Sequence, residues 1–188
     1  MSHAVATAGT GLVTADELFR MRDDGMRREL VDGELHVMTP AGGRHGQVAL
    51  RIGSRLEQYV AENDLGAALG AETGFKVSVD PDTVLAPDLS FVRREVAEGV
   101  SDVDAFWPVV PDFVLEVVSP RDSFHDVRHK VSRWLDAGCR LVAVADPRGR
   151  VMTVYRSRSD IVELTEDDVL DASDVVPGWK LPLRGMFG

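Results

Sequence analysis

The hydrophobic positions change their period several times along the 188-residue chain, and each change marks an element. Thr14-Ala15-Asp16-Glu17 is a capping-box pattern ahead of Leu18, Phe19 and Met21, so a short helix starts there. Residues 28–31 and 34–38 alternate on either side of Asp32-Gly33, the dipeptide of a tight hairpin turn. Val48, Ile52, Leu56 and Val60 recur every fourth residue, with Tyr59 widening the stripe, which predicts an amphipathic helix over 45–62 packed by one face on a sheet. Residues 67–79 and 87–92 alternate or carry β-branched and aromatic side chains around turn signals such as Asp80-Pro81-Asp82, and read as strands.

Residues 113–118 are apolar except at Glu116, the pattern of a central strand buried on both faces. Ser119-Pro120 ends it, and Val127, Val131, Trp134 and Leu135 then give a helix over 125–137 that Gly138 stops. Residues 141–145 form a second buried strand, and the Asp146-Pro147-Arg148-Gly149 turn leads into strands at 151–156 and 161–164. A strand–helix–strand unit over 112–145 implies a right-handed parallel crossover. The expected fold class is therefore α/β (α+β), a mixed sheet flanked by helices with N-terminal and C-terminal β-hairpins. Residues 1–13 are small and unpatterned and read as a loose tail, with a single domain over 14–188.

Composition narrows the function classes. A chain that is 44% hydrophobic and 28% charged has enough apolar material for a core. No run reaches the roughly 18 apolar residues of a membrane span and no secretory leader pattern opens the chain, so the expected location is cytoplasmic, without a membrane partner. Cys139 is the only cysteine, which excludes an internal disulfide and a thiolate zinc cluster, and its place at the head of a buried strand favours inert packing. A net charge of −10 argues against a polyanion binder that relies on its overall field. The acids are concentrated, however: residues 160–174 hold seven and no Lys or Arg, whereas residues 121–150 hold seven bases to four acids, a local basic face.

Glu116 is the anomaly in this pattern, because a carboxylate inside Val-Leu-Glu-Val-Val is costly to bury unless it is paired, hydrogen-bonded or bound to a cation. An arginine ion pair is the purely structural solution. Asp88, brought in by Pro87 at the head of an apolar strand, is unremarkable alone, but with Glu116 on a neighbouring strand it makes a pair of hard oxygen donors of the kind Mg²⁺ takes. Lys130 flanks the buried stripe of its helix, where it can either snorkel to solvent or reach Glu116. His125 and His129 share a chelating spacing but fall opposite Val127 and Val131, facing water. His45 opens its helix beside Gly42-Gly43, and Glu29 is a further inward-facing carboxylate candidate on the first hairpin. Dinucleotide-binding, P-loop, hydrolase-elbow and zincin motifs are absent from the sequence.

In order along the chain, Arg28-Glu29-Leu30-Val31-Asp32-Gly33-Glu34-Leu35, Pro40 with His45, Pro87-Asp88-Leu89-Ser90-Phe91-Val92, Pro111-Asp112 through Ser119-Pro120, Lys130, Gly138 and Asp146-Pro147 resemble the Uma-two family of restriction-endonuclease-like proteins, over about residues 14–157. That family is similar to the PD-(D/E)XK nucleases. The resemblance implies a restriction-endonuclease-like core and a metal-dependent endonuclease that hydrolyses phosphodiester bonds. It puts Asp88 and Glu116 in the roles of metal-binding acids for Mg²⁺ or Mn²⁺. The usual lysine position two residues after the acid is Val118 here, and Lys130 stands where a migrated-lysine variant supplies the amine. Glu29 and His45 match further positions around the catalytic site. The implied partner is nucleic acid, with DNA the expected substrate, and base rates make a symmetric homodimer the default assembly. The competing reading is a non-catalytic nucleic-acid-binding or regulatory module on the same scaffold, and a third is a hydrolase of smaller phosphate esters.

Overall fold

The computed structural model describes residues 11–120 and 122–188, so residues 1–10 of the expected 1–13 tail lie outside it. From Val13 onward the chain is held, since the Val13 N–H donates to the Gly33 carbonyl at 2.8 Å. Helix α1 (Ala15–Phe19) is capped by Thr14, with the reciprocal Glu17 bond in place, and lays Ala15 and Leu18 against Leu30 and Val84.

The hairpin β1 (Arg27–Val31) and β2 (Glu34–Met38) turns at Asp32-Gly33, both with positive φ. It does not stand alone. Strands β4 (Phe75–Ser78) and β5 (Thr83–Leu85) extend it into a four-stranded sheet ordered β2-β1-β5-β4. Helix α2 (Gly43–Glu62) buries Val48, Ile52, Leu56 and Val60, and it starts two residues before the expected position 45. Strand β3 (Gly66–Gly70) follows. The single strand region expected over 67–79 is thus two strands in two sheets, parted at 71–74. Gly66 has φ +143, and a Cβ there would run into the Val92 carbonyl, so only glycine allows β3 to approach its neighbour.

The main sheet has six strands in the order β10-β9-β8-β7-β6-β3. Its members beyond β3 are β6 (Leu89–Arg93), β7 (Phe113–Val117), β8 (Leu141–Asp146), β9 (Val151–Tyr155) and β10 (Ile161–Thr165), and a one-turn helix, α3 (Arg94–Ala97), follows β6. Only β7 and β8 pair in parallel, linked by α4 (Phe124–Ala137). Ser123 caps α4 in a reciprocal box with Asp126, and Gly138 ends it at φ +104.

Alternation along β7 and β8 divides the interior in two. Phe113, Leu115 and Val117, with Leu141, Ala143 and Ala145, face α2. Val114, Val142 and Val144 face Val131 and Trp134 of α4 and Phe75 and Leu85 of the smaller sheet. By the same alternation Glu116 points to the α4 face. The expected C-terminal hairpin is β9 and β10, paired antiparallel, and it continues the main sheet beyond β8. A further pair, β11 (Val169–Asp171) and β12 (Lys180–Pro182), forms a ribbon of its own, and residues around it send Val176, Trp179, Leu183 and Phe187 into the α2 core.

Candidate functional site

The site lies where the open end of the β6–β7 pair meets α4, β1 and the start of α2. Leu89 pairs with Leu115 and Ser90 with Val114, so one more step of the antiparallel register sets Asp88 opposite Glu116. Both acids are buried, at 4% and 7% exposure, and Glu29 on β1 joins them at 3%. Three carboxylates at such depth demand compensation, and four side chains and two backbone N–H groups supply it.

Glu116 is held by two side chains of α4 and not by the arginine of a simple ion pair. Its Oε1 accepts from the Trp134 indole at 2.9 Å and its Oε2 from Lys130 Nζ at 3.2 Å. Lys130 also donates to Glu29 Oε1 at 3.3 Å, so one ammonium bridges two acids from different sheets. A quarter of the Lys130 side chain remains exposed. Glu29 Oε1 also accepts from the Ala86 N–H at 3.2 Å. Asp88 has separate partners. Its Oδ2 accepts from the Val117 N–H at 2.8 Å and lies 3.0 Å from His45 Nε2. Its Oδ1 accepts from Arg27 Nη1 at 3.0 Å, while Arg27 Nη2 reaches the Ala86 carbonyl and Nε lies 3.2 Å from Glu72.

These surroundings drive the two central acids apart electrostatically. Burial alone would raise Asp88, but the hydrogen bond and charge of His45, the Val117 N–H and the Arg27 guanidinium outweigh it and hold the carboxyl down at about 2. For Glu116 burial wins, aided by the charges of Asp88 and Glu29 and opposed by Lys130 and Trp134, and the carboxyl is pushed up to about 7. Burial pulls Lys130 down, yet Glu116, Glu29 and Asp88 more than reverse this and raise it above its ordinary value. Two carboxyls of opposite displacement beside a cation are a pattern common at functional sites.

The sequence candidates Asp88, Glu116, Lys130, Glu29 and His45 thus converge on one region. His125 and His129 stand apart on the exposed side of α4. Asp112, also buried, is accounted for by the Arg93 N–H and guanidinium and belongs elsewhere. Arg27 and Trp134 are additions. Counting back by two from Val31 and Glu29 puts Arg27 on their face, a signal available in the sequence, whereas Trp134 read only as core stripe. The local basic face over 121–150 is smaller than its charge count, because Arg140 Nη2 is bonded to the Asp174 carbonyl and Arg150 to Glu166. Arg121 lies outside the described residues. Cys139 is buried, and that burial pushes its thiol up to about 12, as inert packing requires.

A cleft of about 830 Å³ opens against Asp88, His45 and Arg27 and runs between the small residues Ala49 and Gly53 of α2 and Ala68 of β3. The donor set fits a hard divalent cation. Among the described residues, the bonds in place use three of the roughly four acceptor positions of Asp88 and two of those of Glu116, which leaves oxygen lone pairs on both acids. No three His, Cys, Asp or Glu side chains among the described residues form a ready cage, so the ion's remaining ligands would be water and substrate, the usual state of affairs for Mg²⁺.

At the end of a mixed sheet with one parallel β–α–β unit, the fold brings two buried acids and a lysine together. Residues 15–184 match the Uma2 (Uma-two) family, described as putative restriction endonuclease, and the chain belongs to that family. Among solved structures it is similar to a putative nuclease belonging to DUF820 from Anabaena variabilis, with 18% identity over 93% of this chain and 97% of that one and a TM-score of 0.78, which establishes the shared fold. No curated protein matches the chain. No helix among the described residues is long and apolar enough to cross a membrane.

Proposed function

We propose that this chain is a divalent-metal-dependent endonuclease that hydrolyses phosphodiester bonds, with DNA as its substrate. The observation that carries this reading is the Lys130 ammonium, 3.2 Å from Glu116 and 3.3 Å from Glu29 and partly open to solvent, beside an Asp88 set opposite Glu116 by strand register. Asp88 and Glu116 would hold Mg²⁺ or Mn²⁺. When bound, such an ion supplies positive charge to the phosphoryl oxygens and lowers the pKa of water.

The chain's own groups do the rest. Lys130 directs an N–H and a positive charge at the place where negative charge builds on the attacked phosphate, and it orients the attacking water. Glu29 holds Lys130 from the side opposite Glu116. Trp134 fixes one oxygen of Glu116 and leaves the carboxylate a single useful orientation. His45, Arg27 and the Val117 N–H do the same for Asp88 and keep it ionised. A homodimer would enlarge the surface offered to a duplex, and sedimentation tests it.

One observation favours the second reading, a non-catalytic module: Arg27, His45, Lys130 and Trp134 already compensate the acids with no ion. Incubation of supercoiled plasmid, single-stranded DNA and RNA with the chain and Mg²⁺ or Mn²⁺ separates the two. The nuclease reading expects cleavage that chelator abolishes and that falls by about 10²-fold or more in Lys130→Met, the scale for losing one preorganised donor. Inertness of the folded chain towards all three substrates with either ion would establish the module instead.

A further inference from the structure

The exposed side of α4 carries a feature that the nuclease reading does not use. His125 and His129 lie one helical turn apart, both exposed, with their Nε2 atoms 3.0 Å from each other. Their ring centroids are 4.1 Å apart and the rings are inclined at 47°. An in-line N–H···N bond of that length would hold the centroids roughly 5 Å apart, so these nitrogens stand side by side more than they point at one another. Two nitrogens bound to one ion at about 2.0–2.1 Å are about 2.9 Å apart in a square-planar site and about 3.3 Å apart in a tetrahedral one. The observed separation falls between the two, and the rings need only turn outward slightly, from centroids 4.1 Å apart to roughly 4.5 Å, for both nitrogens to aim at one ion.

We propose that His125 and His129 form a chelating site for a borderline transition-metal cation, Zn²⁺ or Cu²⁺, separate from the Asp88–Glu116 site. Imidazole nitrogen selects these ions and not Mg²⁺. The neighbouring charges permit it. The Arg128 guanidinium is drawn over the Phe124 ring, 5.7 Å from its centroid, and the Lys130 ammonium is turned inward to Glu116 and Glu29. Asp126 is committed to the Ser123 cap, and no third His, Cys, Asp or Glu among the described residues completes a cage, so water fills the remaining positions. An ion held there clips the first turn of the helix that delivers Lys130 and Trp134 to Glu116, and so stabilises that helix from its outer side.

The test is calorimetric titration of the tag-free full chain with Zn²⁺, in a His3→Ala background that removes the amino-terminal histidine. Wild-type His125 and His129 are compared with His125→Gln, His129→Gln and the double variant Asp88→Asn with Glu116→Gln. One ion per chain is expected in the acid double variant and a second at the acids of the parent, and the first binds at least tenfold more weakly when either histidine is replaced. Cu²⁺ bound to the parent should show electron-paramagnetic couplings to two imidazole nitrogens. The proposal is overturned by an acid double variant that binds no stoichiometric Zn²⁺, or by binding that is undiminished when the histidines are replaced in that variant. Failure here leaves the nuclease reading untouched, since that reading depends on Asp88 and Glu116.

Discussion

Replacing Glu116 with glutamine should remove a large part of the pH dependence of this chain's stability in weakly acidic solution. Glu116 is 7% exposed, and its carboxyl is raised from an ordinary 4.5 to about 7, first by burial and then by Asp88 and Glu29, against the pull of Lys130 and Trp134. A carboxyl raised on folding binds its proton more tightly in the native chain than in the unfolded one. Its contribution is therefore full below about 4.5 and is lost as pH rises through about 7. At about 1.4 kcal/mol for each pH unit, that interval is worth about 3 kcal/mol. Urea unfolding of wild type and Glu116→Gln, followed in steps from about pH 4.5 to 8, reads the difference directly, because most other titrating groups cancel between the two proteins. The wild type should lose about 3 kcal/mol relative to the variant across the range and nothing more above it. A difference that stays flat with pH, or moves in favour of the wild type, would refute the electrostatic account of this site.

Four further outcomes follow from the contacts and burial described above. Lys130→Met leaves Glu116 and Glu29 facing each other without their shared cation, and because the lysine is partly exposed the cost at pH 8 should be about 2 kcal/mol, below the full range for breaking a buried pair. Arg27→Met should raise the Asp88 carboxyl from about 2, read by carboxyl NMR titration. The stability that this pairing contributes is present above pH 3.8 and lost as pH falls through about 2, so the variant's deficit should shrink in strong acid. Trp134→Phe removes the donor to Glu116 Oε1, which should cost about 1–3 kcal/mol by urea unfolding and move the Glu116 titration higher still. Cys139 should resist thiol reagents in the native chain and react on unfolding, as its burial and its thiol at about 12 require.

Much of the scaffold is written in periodicity. The fourfold recurrence of Val48, Ile52, Leu56 and Val60 locates α2, Asp32-Gly33 the first hairpin, and the two apolar runs the parallel pair β7 and β8. Glu116 stood out because a charge interrupts such a run, and Lys130 because it borders a buried stripe. What stayed hidden depends on contacts distant in sequence. The Gly-Ala-Ala-Leu-Gly of β3 carries little pattern and finds its place only through close approach to β6, so its separation from β4 could not be read. The three residues of β5 are too few to show a period. Trp179, Leu183 and Phe187 lie among prolines and glycines beyond an acidic stretch, and only the folded chain shows them entering the α2 core. Arg27 reads as an ordinary charged strand residue until Asp88, brought from another sheet, is beside it.

Calorimetric titration of the folded chain with Mn²⁺ at pH 8, comparing wild type with Asp88→Asn and with Glu116→Gln, decides whether these two acids hold a metal ion. The account predicts stoichiometric binding to the wild type that each single replacement weakens at least tenfold, since both acids are needed as ligands. Equal binding by all three proteins, or none by a wild type with a cooperative unfolding transition, would contradict it and leave Asp88, Glu116 and Lys130 as a buried ion-pair network on a nuclease-like fold.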